Sequence, residues 1–174
     1  LGVFLISKLL SGSNLQLGET INEAEISITA DGGTVFIDEE TSSINGFTIK
    51  VNQGTYDDTV TFTVKTMEIK GHSLGSDFNP VTPLISVDNG HTFANRPMTV
   101  TIPINITEDE FAMGFFYDIK TGLLEAIPFE SSSTDQITLL TSHFSNIVVS
   151  KISVSELNKL MIGGSSSVKT DFEP

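Results

Sequence analysis

The residues best suited to chemistry are three in a row, His143-Phe144-Ser145. A serine hydroxyl one bond beyond a peptide carbonyl can attack that carbonyl and move the acyl group from nitrogen to oxygen. Here Ser145 would attack the carbonyl of Phe144, His143 would take the hydroxyl proton, and water would later hydrolyse the ester. A planar amide resists this attack. Twisting it by about 12° costs only ~1 kcal/mol, but the cost rises quadratically, so the flanking elements must hold the bond firmly. The same residues also suit the start of a strand, with Phe144 anchoring a core and His143 and Ser145 satisfying loop hydrogen bonds. Three residues form a short motif, and the packing reading is the default.

Other constellations are weaker. His72 and His91 lie far apart in the chain without ligand-type spacing, and cysteine is absent, which removes thiolate metal sites, disulfides and cysteine nucleophiles. The acidic groups Asp38-Glu39-Glu40, Asp57-Asp58 and Glu108-Asp109-Glu110 sit beside Ser, Thr or Asn. Ca²⁺ sites often look so, but none has EF-hand spacing or its required glycine, so solvated loops are the expectation and Ca²⁺ binding the alternative. No glycine-rich loop follows a strand and opens a helix. The expectation is therefore no metal, no cofactor and no enzyme beyond a single self-cleavage.

Acidic residues outnumber basic ones 22 to 9, giving a formal charge of −13 over 174 residues. That balance disfavours a nucleic-acid or anionic-membrane partner, both of which need clustered Lys and Arg. Val, Ile and Thr number 12, 18 and 20, more than a quarter of the chain, against 5 Ala and no Trp. Such a β-branched excess predicts an all-β fold. The lack of Trp and the mere two tyrosines, Tyr56 and Tyr117, speak against an aromatic sugar-binding platform.

The elements that must position the motif follow from period-2 alternation. Strands are predicted over Glu25–Thr29, Thr34–Ile37, Phe47–Val51, Thr59–Lys65, Leu84–Val87, Met98–Thr107 and Phe111–Tyr117. Asp31-Gly32-Gly33, Asn52-Gln53-Gly54, Asp88-Asn89-Gly90 and Lys120-Thr121-Gly122 read as turns, and Gly71–Pro80 as a loop. Pro103 has no N–H for a ladder and belongs at an edge or a bulge. Ile137–Ile152 forms a last strand pair or one bent strand. Ile137, Leu139, Ile147 and Val149 share the parity of His143 and Ser145, so either both faces are buried or the chain kinks between Thr141 and Asn146. Closely spaced turn signals favour a sandwich or barrel over any α/β arrangement.

At the start, Leu1–Leu10 (LGVFLISKLL) is apolar apart from Ser7 and Lys8. It lacks the basic region and cleavage site of a signal peptide and the length of a membrane span, and it reads as a strand buried on both faces. At the end, Ser155 would cap a two-turn helix to Ile162, stopped by Gly163-Gly164 and followed by a polar linker towards a further domain.

Five motifs in order resemble the ZU5 family. They are Ala30-Asp31-Gly32-Gly33-Thr34-Val35, Gly46–Thr55, Asn79–Val87, Asp88–Pro103 and the closing Thr141-Ser142-His143-Phe144-Ser145-Asn146-Ile147-Val148-Val149. Asn52 and Gln53 stand where that family has prolines. The resemblance covers about residues 30–150 and implies a β-sandwich module of a multidomain chain that binds partners. In some relatives His-Phe-Ser is a self-cleavage site between Phe and Ser, which points to His143 and Ser145. Similar modules occur in bacterial surface and periplasmic proteins, a setting that the acid excess and missing cysteine suit.

The expectation is thus an all-β, antiparallel, ZU5-like β-sandwich over residues 1–154, with an added N-terminal strand region 1–29. A short C-terminal helix and linker follow over 155–174. Its expected role is a non-catalytic accessory or protein-interaction module of a larger exported bacterial protein, periplasmic or at the cell surface. Its partner is another protein or a neighbouring domain, without nucleic acid or membrane insertion. The alternative is self-processing between Phe144 and Ser145, with those two histidine and serine side chains as its catalytic pair.

Overall fold

A computed structural model describes residues 14–156, so the strand expected over Leu1–Leu10 and the linker lie outside the described residues. The strands are β1 (Leu15–Ile28), β2 (Gly33–Phe36), β3 (Thr48–Val51), β4 (Val60–His72), β5 (Asn79–Pro80) and β6 (Leu84–Asp88). They continue with β7 (Met98–Pro103), β8 (Glu110–Tyr117), β9 (Leu124–Ala126), β10 (Phe129–Ser132), β11 (Gln136–Thr141) and β12 (Asn146–Ser153). They form two antiparallel sheets, one ordered β1-β4-β6-β12-β8-β9 with β5 also on β12, the other β10-β11-β7-β3-β2. The chain is an all-β sandwich. Among the described residues no helix is long and apolar enough to cross a membrane.

The main core lies between the sheets, where alternate residues of each strand point inward. Phe62 and Val64 of β4, Val100 and Ile102 of β7, Ile137 and Leu139 of β11, and Ile147 and Val149 of β12 meet there. Residues of the opposite parity face outward, and on the smaller sheet they include Thr101 and Thr138, which share a hydroxyl hydrogen bond at 3.3 Å. Pro103 sits where a missing N–H costs nothing. Ile104 donates to Asp135 across to the β11 side, so the nitrogen of Pro103 faces the β3 side. There β3 pairs no farther than Thr48 with Thr101.

A second core covers the outer face of the larger sheet. Leu15, Phe78, Leu84, Tyr117 and Val148 are buried in it, with Leu17, Met67, Ile69 and Leu124 packed alongside. The antiparallel β1–β4 ribbon builds this layer. Leu15 pairs with His72 at the far end of the ribbon, yet its N–H donates to the Tyr117 hydroxyl at 3.2 Å. Asn14 Nδ2 donates to the Gly122 carbonyl at 2.9 Å, beyond β8. The ribbon therefore folds back across β6 and β12 like a strap. Its register shifts at Gln16/Leu17, Leu17/Thr20 and Asn22/Ala24 supply the bending that such a path needs. β12 is consequently buried on both faces, with Ile147 and Val149 inward and Val148 outward.

At the C-terminal end the expected cap is displaced by two residues. Ser153, not Ser155, opens the helix. Glu156 N–H donates to Ser153 Oγ at 3.2 Å, and Ser153 N–H donates to Glu156 Oε2 at 3.2 Å, the reciprocal pair of a capping box. The Ser-x-x-Glu spacing carries that signal, and only Val154–Glu156 of the helix fall within the described residues.

Gly114 on β8 faces the opposite sheet, where a Cβ would stand 2.6 Å from Leu139 Cδ1 and 2.7 Å from Cδ2. Leu139 is fully buried, so its side chain can yield only by displacing other core residues. Gly114→Val is expected to lower unfolding stability in denaturant by about 1–3 kcal/mol through overpacking. Pairing it with Leu139→Ala should recover part of that loss, a coupling visible in a double-mutant cycle.

Candidate functional site

The residues from Ser142 to Ser145 carry the chain from β11 in one sheet to β12 in the other. The parity conflict at His143 is resolved in both ways that the sequence allows. The chain turns between Thr141 and Asn146, and the strand beyond is buried on both faces. β11 and β12 do not pair with each other, so Ile137–Ile152 is neither a strand pair nor one bent strand but a crossing between layers.

Backbone contacts fix this crossing. The Thr141 hydroxyl donates to the His143 carbonyl at 2.6 Å and accepts the His143 N–H at 3.2 Å, closing a tight turn. Ala94 N–H donates to the Ser142 carbonyl at 2.8 Å, and Val87 N–H to the Ser145 carbonyl at 3.2 Å. Phe144 points into the main core, its ring edge-on to Phe62 at 5.7 Å. Asn146 Nδ2 reaches the Tyr117 carbonyl at 3.3 Å.

His143 and Ser145 project to the other side. The imidazole is half-buried and stacks on Phe116, centroids 4.7 Å apart at 29°, while Phe93 leans on it at 5.6 Å. Ser145 is exposed. Both line an open cleft of about 800 Å³ whose other walls are Phe116, Tyr117, Ile119, Leu123 and Leu124. Among the described residues no hydrogen bond joins the Ser145 hydroxyl to the His143 ring; the backbone of His143, not its ring, makes the bonds named above. The pair is thus brought to one cleft without the contact that general-base activation needs.

Ser145 also borders a smaller cleft of about 270 Å³ with His91, Asp88 and Asn89. His91 holds φ at 56°, the sole positive φ of a non-glycine among the described residues, directly after Gly90 at 71°. Asn89 pins that turn: its Nδ2 donates to the Tyr56 hydroxyl at 2.9 Å and to the Thr92 carbonyl at 2.7 Å. The remaining histidine, His72, packs edge-on to Phe78 at 5.1 Å.

The β8–β9 turn forms the opposite lip of the large cleft. Asp118 Oδ1 accepts the Lys120 N–H at 2.8 Å and the Thr121 N–H at 3.3 Å. These contacts, the Lys120 N–H foremost, hold its carboxyl below the usual carboxylate range. Gly122 completes the turn at φ 72°, donating to the Asp118 carbonyl at 2.7 Å. This leaves Leu123 68% exposed and Ile119 39% exposed, while Phe93, which leans on His143, is 73% exposed. An aromatic in the polar loop Asn89–Asn95 was the one local sign of Phe93's position. Nothing local marks Ile119 and Leu123, which reach the cleft through the β8–β9 turn.

No protein-family profile matches the chain, and no curated protein does.

Tyr56 ties the Asn89 turn to the core. It is buried, and its hydroxyl also donates to Met98 Sδ at 3.4 Å. Burial raises its pKa, partly offset by the Asn89 hydrogen bond. A folded-state value above the unfolded one near 10 means stability fully present below about pH 10 and lost as pH rises through the folded pKa. Tyr56→Phe is expected to cost about 1 kcal/mol at neutral pH and to flatten the alkaline loss. Denaturant midpoints measured from pH 7 to 11 for both proteins check this.

Proposed function

We propose that this chain is a non-catalytic protein-interaction module, a ZU5-like β-sandwich within a larger exported bacterial protein, working in the periplasm or at the cell surface. One observation supports the interaction role above others: Phe93, largely in water, leans on His143, which in turn stacks on Phe116, and the last two line the large cleft. An exposed aromatic backed by a buried one is how a surface presents an anchor point to another protein. In this reading His143 is a platform under Phe93, and the ring stacking that holds it there replaces a role as base. The order of the five sequence motifs supports the family, and the acid excess without cysteine supports the exported setting. A photo-crosslinking residue at position 93, in the chain expressed in its own cell, should give a discrete protein adduct. The same residue at the exposed positions 36 and 129 should not. Equal adducts at all three sites, or none at 93, would refute the interaction role.

The second reading is self-processing between Phe144 and Ser145. Its support is that Ser145 is exposed and shares the cleft with His143. Intact mass under denaturing conditions separates the two. The interaction reading expects one chain for both wild type and Ser145→Ala after prolonged incubation. Self-processing expects fragments 1–144 and 145–174 for the wild type alone.

A further inference from the structure

We infer that Asn45-Gly46 is a self-modification site, where the asparagine loses its side-chain amide through a cyclic imide and the loop between β2 and β3 loosens as a result. The inference is independent of the interaction reading, since neither residue lines the large cleft.

Asn-Gly occurs twice in the chain, at Asn45-Gly46 and Asn89-Gly90. Glycine is the follower that favours the reaction, because no Cβ obstructs the approach of its nitrogen to the preceding side chain. The fold treats the two pairs differently. Asn89 is buried, and its Nδ2 donates to the Tyr56 hydroxyl at 2.9 Å and to the Thr92 carbonyl at 2.7 Å. The Gly90 N–H is held by Asp88 Oδ1 at 2.8 Å. Asn45 is exposed, and among the described residues no hydrogen bond reaches its side chain. Gly46 has φ of 96°, and a Cβ placed on it would meet nothing within 4 Å, so a five-membered ring has room to close. One restraint acts there: the Gly46 N–H donates to the Ile37 carbonyl at 2.8 Å. That bond lies in a loop and opens locally, whereas freeing Asn89 means pulling the Tyr56 hydroxyl and its turn away from the core.

In the reaction the Gly46 nitrogen bonds to Asn45 Cγ, the Cγ–Nδ2 bond breaks, and ammonia departs with the Gly46 amide proton. Water then opens the imide at either carbonyl. Attack at Cγ gives aspartate. Attack at the main-chain carbonyl gives isoaspartate, whose backbone runs through Cβ and Cγ and is one carbon longer. Both products add a carboxylate to a loop that already holds Asp38, Glu39 and Glu40. The longer backbone has the greater effect, because Ile44 and Phe47 on either side are fully buried in the main core. An extra carbon between them disturbs the Phe47 N–H bond to the Ile44 carbonyl at 2.8 Å as well as the Gly46 bond to Ile37.

Incubation of the full chain in warm, mildly alkaline buffer, followed by peptide mapping, reads each site as a gain of one mass unit. In the folded protein Asn45 should convert about ten-fold or more faster than Asn89, and in concentrated urea the two rates should converge. Asp31-Gly32 closes the same ring without a change of mass and does not enter the reading. Asn45→Gln, which leaves an exposed amide in place, should abolish the fast conversion. Aged wild type should then unfold in denaturant at a lower midpoint than Asn45→Asp, which has the new charge on the ordinary backbone, while aged Asn45→Gln keeps its midpoint. Equal rates at Asn45 and Asn89 in the folded protein overturn the inference, as does an Asn45 that stays intact over the time in which the urea-unfolded chain converts. An aged midpoint no lower than that of Asn45→Asp, or an equal drop in aged Asn45→Gln, overturns the loosening. None of these outcomes touches the partner adduct expected at position 93, so the two readings fail separately.

Discussion

The structure depends on burying β12 on both faces. A strand in an ordinary two-layer sandwich hides one face and wets the other, and its sequence alternates accordingly. Ile147-Val148-Val149 does not alternate, so a sandwich alone would leave Val148 in water. The β1–β4 ribbon solves this by folding over the outer face and bringing Leu15, Leu17, Met67 and Ile69 to the layer around Val148. The polar groups beneath it are matched as well: Asn79 N–H donates to Ser150 Oγ at 2.8 Å and Val149 N–H to Thr82 Oγ1 at 3.0 Å. Three layers thus meet on one strand, and the loop from Ser73 to Pro83 closes the remaining gap.

This arrangement explains why the His143 segment is rigid on one side and open on the other. β12 cannot shift without disturbing both cores, and Phe144 plugs the inner one. The turn before β12 is therefore held at its carbonyls by Ala94 and Val87, while the side chains of His143 and Ser145 face a cleft. Rings from separate loops and strands can rest on such a fixed edge.

Much of the inner sandwich was legible in the sequence because its strands obey a single parity. Phe47–Val51, the first half of β4 and Met98–Ile102 alternate cleanly against one core. β4 beyond Lys65 was missed because its apolar parity flips from Val60, Phe62 and Val64 to Met67 and Ile69. That flip marks the point where the strand stops serving the inner core and starts serving the outer one. The first half of β1 was hidden by Gly18 and by bulges that interrupt its alternation. β9 and β10 are short, largely exposed edges with no pattern to read. At the site, His143 and Ser145 stood out because their spacing is local. The cleft they line did not, since Phe116, Ile119 and Leu123 come from a strand and a turn that only the fold brings beside the crossing.

The strap has a temporal consequence. Leu15 and Asn14 are satisfied by residues 102 and 108 positions later in the chain. A polypeptide emerging from its N-terminus therefore carries the ribbon's apolar face unsheltered until Tyr117 and Gly122 have appeared. Loop closure over such spans is slow and must precede the outer core. β1 precedes these partners in the chain yet is among the last strands to find its place. During that interval Leu15, Leu17, Met67 and Ile69 stay open to water, and they are covered only once the fold closes.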